Sequence, residues 1–339
     1  MIIIILLILL HVYLNNRNKI ENFFDDDRKV SFPFRNIYDS NGKLIDLICI
    51  TAYFRGDDHK KTYLKLKEKG YHFIGSTSYL EFPGKITNPH EDKYHLSHDD
   101  DYIKICKGWC HCFRKPFDTF PKETPLALIS ESDFVNLDFL KSAKKHKKKY
   151  DFVYVCLRSQ KQCIVGWQEY IHRWDFAKKA IELMVNKYKL KGILIGRHNC
   201  PNLPEVENKD LLETTEFLSY YKFIDKIKES KFLFECSGST ASPRIVTESM
   251  SLDLPVLLYE NIVGGWKYIN SESGEFFNEL DDFEKKLNIL RKNYDNYKPR
   301  KYIENNYGVN KSGKQLLDFV KKVYPELKLK ENKYLKFAV

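Results

Sequence analysis

ECSGSTASPRIVTESMSLDLPVLLYENIVGGWKYINSESGEFF, residues 235–277, is the stretch whose reading decides the fold. An apolar run ends at Glu235, a loop of small residues follows, and Ser242 and Pro243 read as the N-cap and first-turn proline of a helix that continues to about Leu252. Pro255 to Tyr259 then reads as a second strand. In such a unit the first N–H groups of the helix face the carboxyl edge of a parallel sheet, where α/β folds bind ligands and where a diphosphate would fit. Arg244 and Glu248 stand four residues apart on one face of this helix. The spacing fits an exposed ion pair contributing roughly 0.2–0.5 kcal/mol, and it equally fits a carboxylate that accepts hydrogen bonds from a nucleoside ribose.

Working outward, the preceding segments alternate. Strand Phe152 to Leu157, helix Trp174 to Tyr188, strand Gly192 to Gly196, helix Tyr220 to Ser230 and strand Lys231 to Glu235 predict a parallel sheet covered on both faces. Upstream, the run Lys141 to Lys149 holds six lysines and His146 without interleaved aromatics, so it reads as a solvated linker between domains and not as a nucleic-acid contact. A further βαβ start lies before it: strand Leu44 to Thr51, helix Lys60 to Lys69, strand Tyr71 to Thr77. Residues 81–100 read as a long loop, and strand Leu126 to Ser130 precedes the polar turn Glu131, Ser132, Asp133. The predicted organisation is an α/β domain over 44–148, a second over 150–305, and a helix and tail over 306–339 that crosses back, with the helix near Lys311 to Tyr324. No repeat of fixed period is present.

The length of 339 residues fits about two domains, and 43% hydrophobic residues are enough for packed cores. A net charge of +10 suits an anionic partner without choosing one. Eight cysteines are too few for a disulfide scaffold. Cys106, Cys110 and Cys112 around His111, with His90, His95 and His98 upstream, match no standard zinc spacing. Residues 2–14 form an apolar run of 13, about 20 Å as a helix, too short to cross a bilayer comfortably and too apolar for water. They predict an N-terminal hydrophobic anchor helix over 1–14, a stem over 15–43, and a membrane-anchored protein, single-pass or monotopic.

The 235–277 segment resembles the donor-binding region of the retaining glycosyltransferases of family 4, whose fold, GT-B, sets two Rossmann-like domains across a cleft. Glu248 matches the second glutamate of that signature, Leu254, Pro255 and Val256 its Leu-Pro-Val, Gly264 and Gly265 its glycine loop, and Gly274 its last glycine. The first glutamate falls on Thr240, a departure that bears on catalysis more than on donor binding. The resemblance also implies two basic residues directed at the donor diphosphate, one after the first strand of the second domain and one before the next helix, places that Arg158 and Arg173 occupy; Arg197, after strand Gly192 to Gly196, is a further candidate, and Lys267, two residues past the glycine pair, is a compact cation that a flexible loop can bring against the leaving phosphate. The first domain would supply acceptor chemistry. Glu131 and Asp133, and less directly His59 and Glu81, stand near predicted strand ends.

The expected activity is therefore transfer of a sugar from a nucleoside diphosphate donor to a hydroxyl of a glycan, glycoprotein or glycolipid, with retention. The donor contacts would be Glu248, Arg244, Ser242, Gly264, Gly265, Arg158, Arg173 and Arg197, and the catalytic groups Lys267, Glu131 and Asp133. No metal and no cofactor beyond the nucleotide sugar are expected. Asp99 with Asp101, and Asp25 with Asp27, have the Asp-x-Asp spacing of metal-dependent enzymes, but both pairs lie in acidic runs that read as loops. The chain lacks dinucleotide, Walker and nucleophile-elbow motifs, which argues against dehydrogenase, NTPase and hydrolase chemistry. A non-catalytic sugar-nucleotide-binding or glycan-binding relative and a basic nucleic-acid-associated protein remain as alternatives.

Overall fold

The computed structural model describes residues 30–78, 82–84, 101–157, 163 and 166–338. Within them the chain forms twelve strands in two six-stranded sheets. The first sheet contains β1 (Phe34–Asp39), β2 (Leu44–Ile50), β3 (His72–Ser76), β4 (Trp109–Cys110) and β5 (Leu126–Ala127), side by side in that order. The second contains β6 (Tyr150–Val155), β7 (Gly192–Ile195), β8 (Leu212–Thr215), β9 (Ser230–Glu235), β10 (Val256–Tyr259) and β11 (Gly274–Phe277). The last strand, β12 (Leu335–Phe337), returns to the first sheet and pairs antiparallel with β1, Ile37 opposite Phe337.

The second sheet is parallel throughout, in the order β11-β10-β9-β6-β7-β8. This is a doubly wound arrangement, and the winding reverses between β6 and β9. A crevice for ligand opens outside the carboxyl ends of these strands. Alternation along each strand fills both faces. Phe152, Tyr154, Phe232, Phe234 and Leu257 pack under helices Trp174–Glu182 and Leu280–Lys292. Val153, Leu233 and Leu258 face the other way, against Ile224 and Ile227 of helix Tyr220–Lys228 and Val246 and Met250 of helix Arg244–Ser251.

The first sheet is built by the same rule with β2 to β5 parallel and β1 antiparallel to β2. Ile48, Ile50, Phe73 and Trp109 share one core with Phe54 and Phe82. Leu47, Cys49, Ile74 and Cys110 face helix Val309–Val323, whose Leu316, Phe319, Val320 and Val323 cover them. Each of these side chains contributes roughly 1.5–3 kcal/mol when fully buried, so the returning helix is part of the first core.

Several sequence expectations change. The predicted stem over 15–43 contains β1, because Phe34 and Ile37 are buried in the first sheet. β4, β8, β11 and β12 are strands that the periodicity did not announce, and four residues or fewer are too short to show a period. The membrane-anchored localisation is withdrawn: among the described residues no helix is long and apolar enough to cross a membrane, and residues 1–14, on which the anchor rested, lie outside them. Arg158, Glu81, Asp99, Asp25, Asp27, His90, His95 and His98 also lie outside them. Cys106, Cys110 and Cys112 are buried free thiols, and the one disulfide among the described residues joins Cys163 to Cys200.

Candidate functional site

A cavity of about 820 Å³ opens between the lobes. Arg35 and Glu131 line it from the first lobe, Phe139 from the segment just before the Lys141 to Lys149 run, and Tyr220, Arg244 and Glu248 from the second. Glu248 sits on its wall because helix Arg244–Ser251 turns Val246 and Met250 into the core and leaves the opposite face toward the cleft. Its side chain is only 8% exposed, whereas Arg244, 3.7 Å away, is 61% exposed. Burial raises the Glu248 pKa, with Arg244 and a hydrogen bond from Tyr220 opposing. Glu131 behaves alike: burial raises its pKa while Arg35, at 2.9 Å, and Arg244 oppose. Arg244 thus acts on two carboxylates, one from each lobe.

Ser242 does not cap the helix as expected. Pro243 occupies the cap position, and no side chain caps the helix. The Ser242 hydroxyl instead accepts the Ser132 N–H at 2.8 Å and meets the Ser132 hydroxyl at 3.0 Å, tying the lobes together. The glycine pair explains how the next loop comes so close. A Cβ on Gly264 would lie 1.8 Å from the Ala241 carbonyl oxygen, and Gly265 has φ +86° with Pro243 against it. Side chains cannot be accommodated in that contact.

Beyond the glycines the loop reaches the first lobe. The Trp266 indole N–H donates to the Cys112 carbonyl at 2.8 Å. Lys267 Nζ lies 2.7 Å from Asp133 Oδ2, and the Tyr268 hydroxyl donates to Asp133 Oδ1. The Ser130 N–H also donates to Oδ2, at 2.9 Å. This pair is sealed, Lys267 being 6% and Asp133 0% exposed. The expectation that Lys267 faces a leaving phosphate and Asp133 an incoming hydroxyl is therefore corrected: each neutralises the other where the lobes meet. Glu131, two residues earlier, does line the cavity.

Arg197 is likewise not available to a donor. It is fully buried 2.6 Å from Glu169, donates to the Cys156 carbonyl at 3.1 Å and lies over the Trp174 ring. Arg173 is placed differently, before helix Trp174–Glu182, with its guanidinium 3.7 Å from the centre of the Tyr259 ring and its side chain beside Gly238 at the carboxyl edge. His59 accepts the Arg55 N–H at 2.8 Å through Nδ1.

One cluster escaped the sequence reading. At the reversal point, the Ser237 hydroxyl lies 3.0 Å from His172 Nδ1 and donates to the buried Glu235. Burial alone would raise the Glu235 pKa, but His172 and Ser237 outweigh it and hold the carboxyl below its ordinary range. His111, singled out in the sequence beside Cys110 and Cys112, lies just past β4. Burial and then the Lys267 charge push its pKa down to about 4, so it is neutral at pH 7, and its Nδ1 is buried without a protein hydrogen bond.

No protein-family model matches the chain, and no curated protein matches it in sequence. Solved structures do share its fold. A mutant of S. aureus TarM in complex with fondaparinux, α-GlcNAc-glycerol and UDP aligns with a TM-score of 0.53 at 15% identity, over 78% of this chain and 54% of that one. The pneumococcal O-GlcNAc transferase GtfA, in complex with UDP and GlcNAc, aligns at 0.51 and 12%, over 88% and 68%. A glycosyltransferase from Rickettsia africae ESF-5 aligns at 0.58 and 13%, over 82% and 76%. The chain spans about half the length of TarM. Two α/β sheets of mainly parallel strands, a returning helix and strand, and this set of neighbours agree: the fold is GT-B, that of the two-lobed glycosyltransferases.

Proposed function

We propose that the chain is a glycosyltransferase that moves a sugar from a nucleoside diphosphate donor to a hydroxyl of a glycan, glycoprotein or glycolipid, without a metal and with retention. The observation that carries this reading is Glu248. It is a buried carboxylate on the wall of the interlobe cavity, on a helix whose first turn lacks a side-chain cap and whose N-terminus is pressed by a glycine loop. A carboxylate in that position suits a ribose diol, and the open helix terminus suits the diphosphate one turn away. Arg244 and Arg173 would supply the positive charge that steadies the leaving group, and Arg158 keeps that role by its place in the sequence. Glu131 would meet the acceptor from the first lobe. The solved structures with UDP bound on this fold support a nucleotide donor.

The test is thermal melting of the purified protein with uridine and guanosine diphosphates, followed by sugar release from the matching nucleotide sugars with and without EDTA. A ligand that binds the native state must raise the melting temperature, by mass action. Stabilisation by a diphosphate and turnover in EDTA are expected. No stabilisation by any nucleotide overturns the reading, and turnover lost to EDTA and restored by Mn²⁺ overturns its metal independence. Thr240, in place of the first glutamate of the signature, favours a second reading, a binding protein without transferase activity. Nucleotide binding with no turnover would select it.

A further inference from the structure

Glu248 is held by a second side chain from outside its own helix. Helix Tyr220–Lys228 starts beyond the carboxyl end of β8, and the hydroxyl of its first residue, Tyr220, donates to Glu248 Oε1 at 3.1 Å. Arg244 approaches the same oxygen, at 3.7 Å. Oε2 has no protein partner among the described residues. The Tyr220 ring is fixed in turn by Phe139, stacked at 5.8 Å between centroids, which holds its hydroxyl in place. We propose that Tyr220 is a positioning residue that occupies Oε1 and presents Oε2 of Glu248 to a ribose diol, and that it thereby sets the preference of the site for ribonucleotides over 2′-deoxyribonucleotides.

The proposal rests on the donor reading above and goes further by naming what orients the carboxylate. A free carboxylate turns about its last bond and offers either oxygen. One tied at Oε1 offers a single oxygen in a fixed direction, and a fixed acceptor discriminates between one and two hydroxyls more sharply than a turning one. The hydrogen bond also favours the charged form of Glu248, against the burial that raises its pKa. The groups facing Glu248 are Arg244 on its own helix, Tyr220 and Tyr221 from the neighbouring helix, and Glu131 with Arg35 across the cavity.

Calorimetric titration of the whole protein with uridine and guanosine diphosphates and their 2′-deoxy forms, from mildly acidic to neutral pH, tests this. The variants are Tyr220→Phe, which keeps the ring on Phe139, and Glu248→Gln. The wild type should prefer the ribo form on the order of 10-fold, and Tyr220→Phe should reduce that ratio about threefold or more. It should also move the acid limb of binding to higher pH, because the carboxylate loses a donor that favours its charge. If Tyr220→Phe weakens ribo and deoxy forms equally, or leaves ratio and limb unchanged while Glu248→Gln abolishes the preference, Tyr220 has no positioning role and the donor reading stands. If Glu248→Gln also leaves the ratio unchanged, or no nucleotide binds, the donor reading itself fails.

Discussion

Two cation–carboxylate pairs stand at the cleft, and they differ in almost everything but charge. Lys267 and Asp133 come from opposite lobes, lie 2.7 Å apart and are shut away from water. Arg244 and Glu248 share one helix, lie 3.7 Å apart, and only the carboxylate is buried. In the first pair the carboxylate is fully taken up, by Lys267, by the Tyr268 hydroxyl and by the Ser130 N–H. The second keeps an oxygen and an exposed guanidinium. The comparison teaches that a charge at the rim of a GT-B cleft is a candidate for ligand only when its countercharge is loose.

The comparison breaks most readily at Asp133. Asp133→Ala leaves Lys267 buried and unpaired and should cost about 3–5 kcal/mol of stability, read by denaturant unfolding. A loss under about 1 kcal/mol would show that the pair is solvated in solution. At Glu248 the effect should move from stability to binding: Glu248→Gln should weaken the preferred nucleotide sugar about 10- to 100-fold with little change in melting temperature. Equal affinities would remove Glu248 from the site.

A pH titration sharpens the contrast. Burial raises the Glu248 pKa, so its charged form is lost as pH falls through that raised value, and donor binding should weaken on the acid side earlier than for an ordinary carboxylate. Glu248→Gln should flatten that limb, and an unchanged limb would assign it to another group. The smallest effect belongs to Arg244→Ala. Its exposed pairing with Glu248 should contribute less than about 1 kcal/mol to folding, while nucleoside diphosphate affinity should fall measurably and nucleoside affinity should not. A change of equal size for both would place Arg244 away from the phosphates.

The second lobe was legible because its strands are buried on both faces, so β6, β9 and β10 are runs of apolar residues between helices of clear period. The first lobe was less so. β1 reads FRNIYD and looks like part of a polar stem until its pairing with β2 and β12 is known. The site divides in the same way. Glu248 and the glycine pair were found by local spacing, whereas the fates of Lys267 and Arg197 depend on carboxylates 134 and 28 residues away, which no local pattern announces. A sequence marks where charge is, and only the fold says which charges have cancelled.

The return of helix Val309–Val323 and β12 to the first sheet also orders events in time. The second lobe is contiguous in sequence and can close its own core once helix Pro299–Asn306, which brings the buried Ile303, leaves the ribosome. The first lobe cannot, because Leu316, Phe319 and Val320 of its core and the partner of β1 come from near the end of the described chain. A ribosome stalled so that helix Pro299–Asn306 has emerged while helix Val309–Val323 has not should therefore carry a protease-resistant second lobe and a first lobe still open to cleavage. The half of the protein that is written first is the half that is finished last, and until then its apolar strands wait exposed beside a folded neighbour.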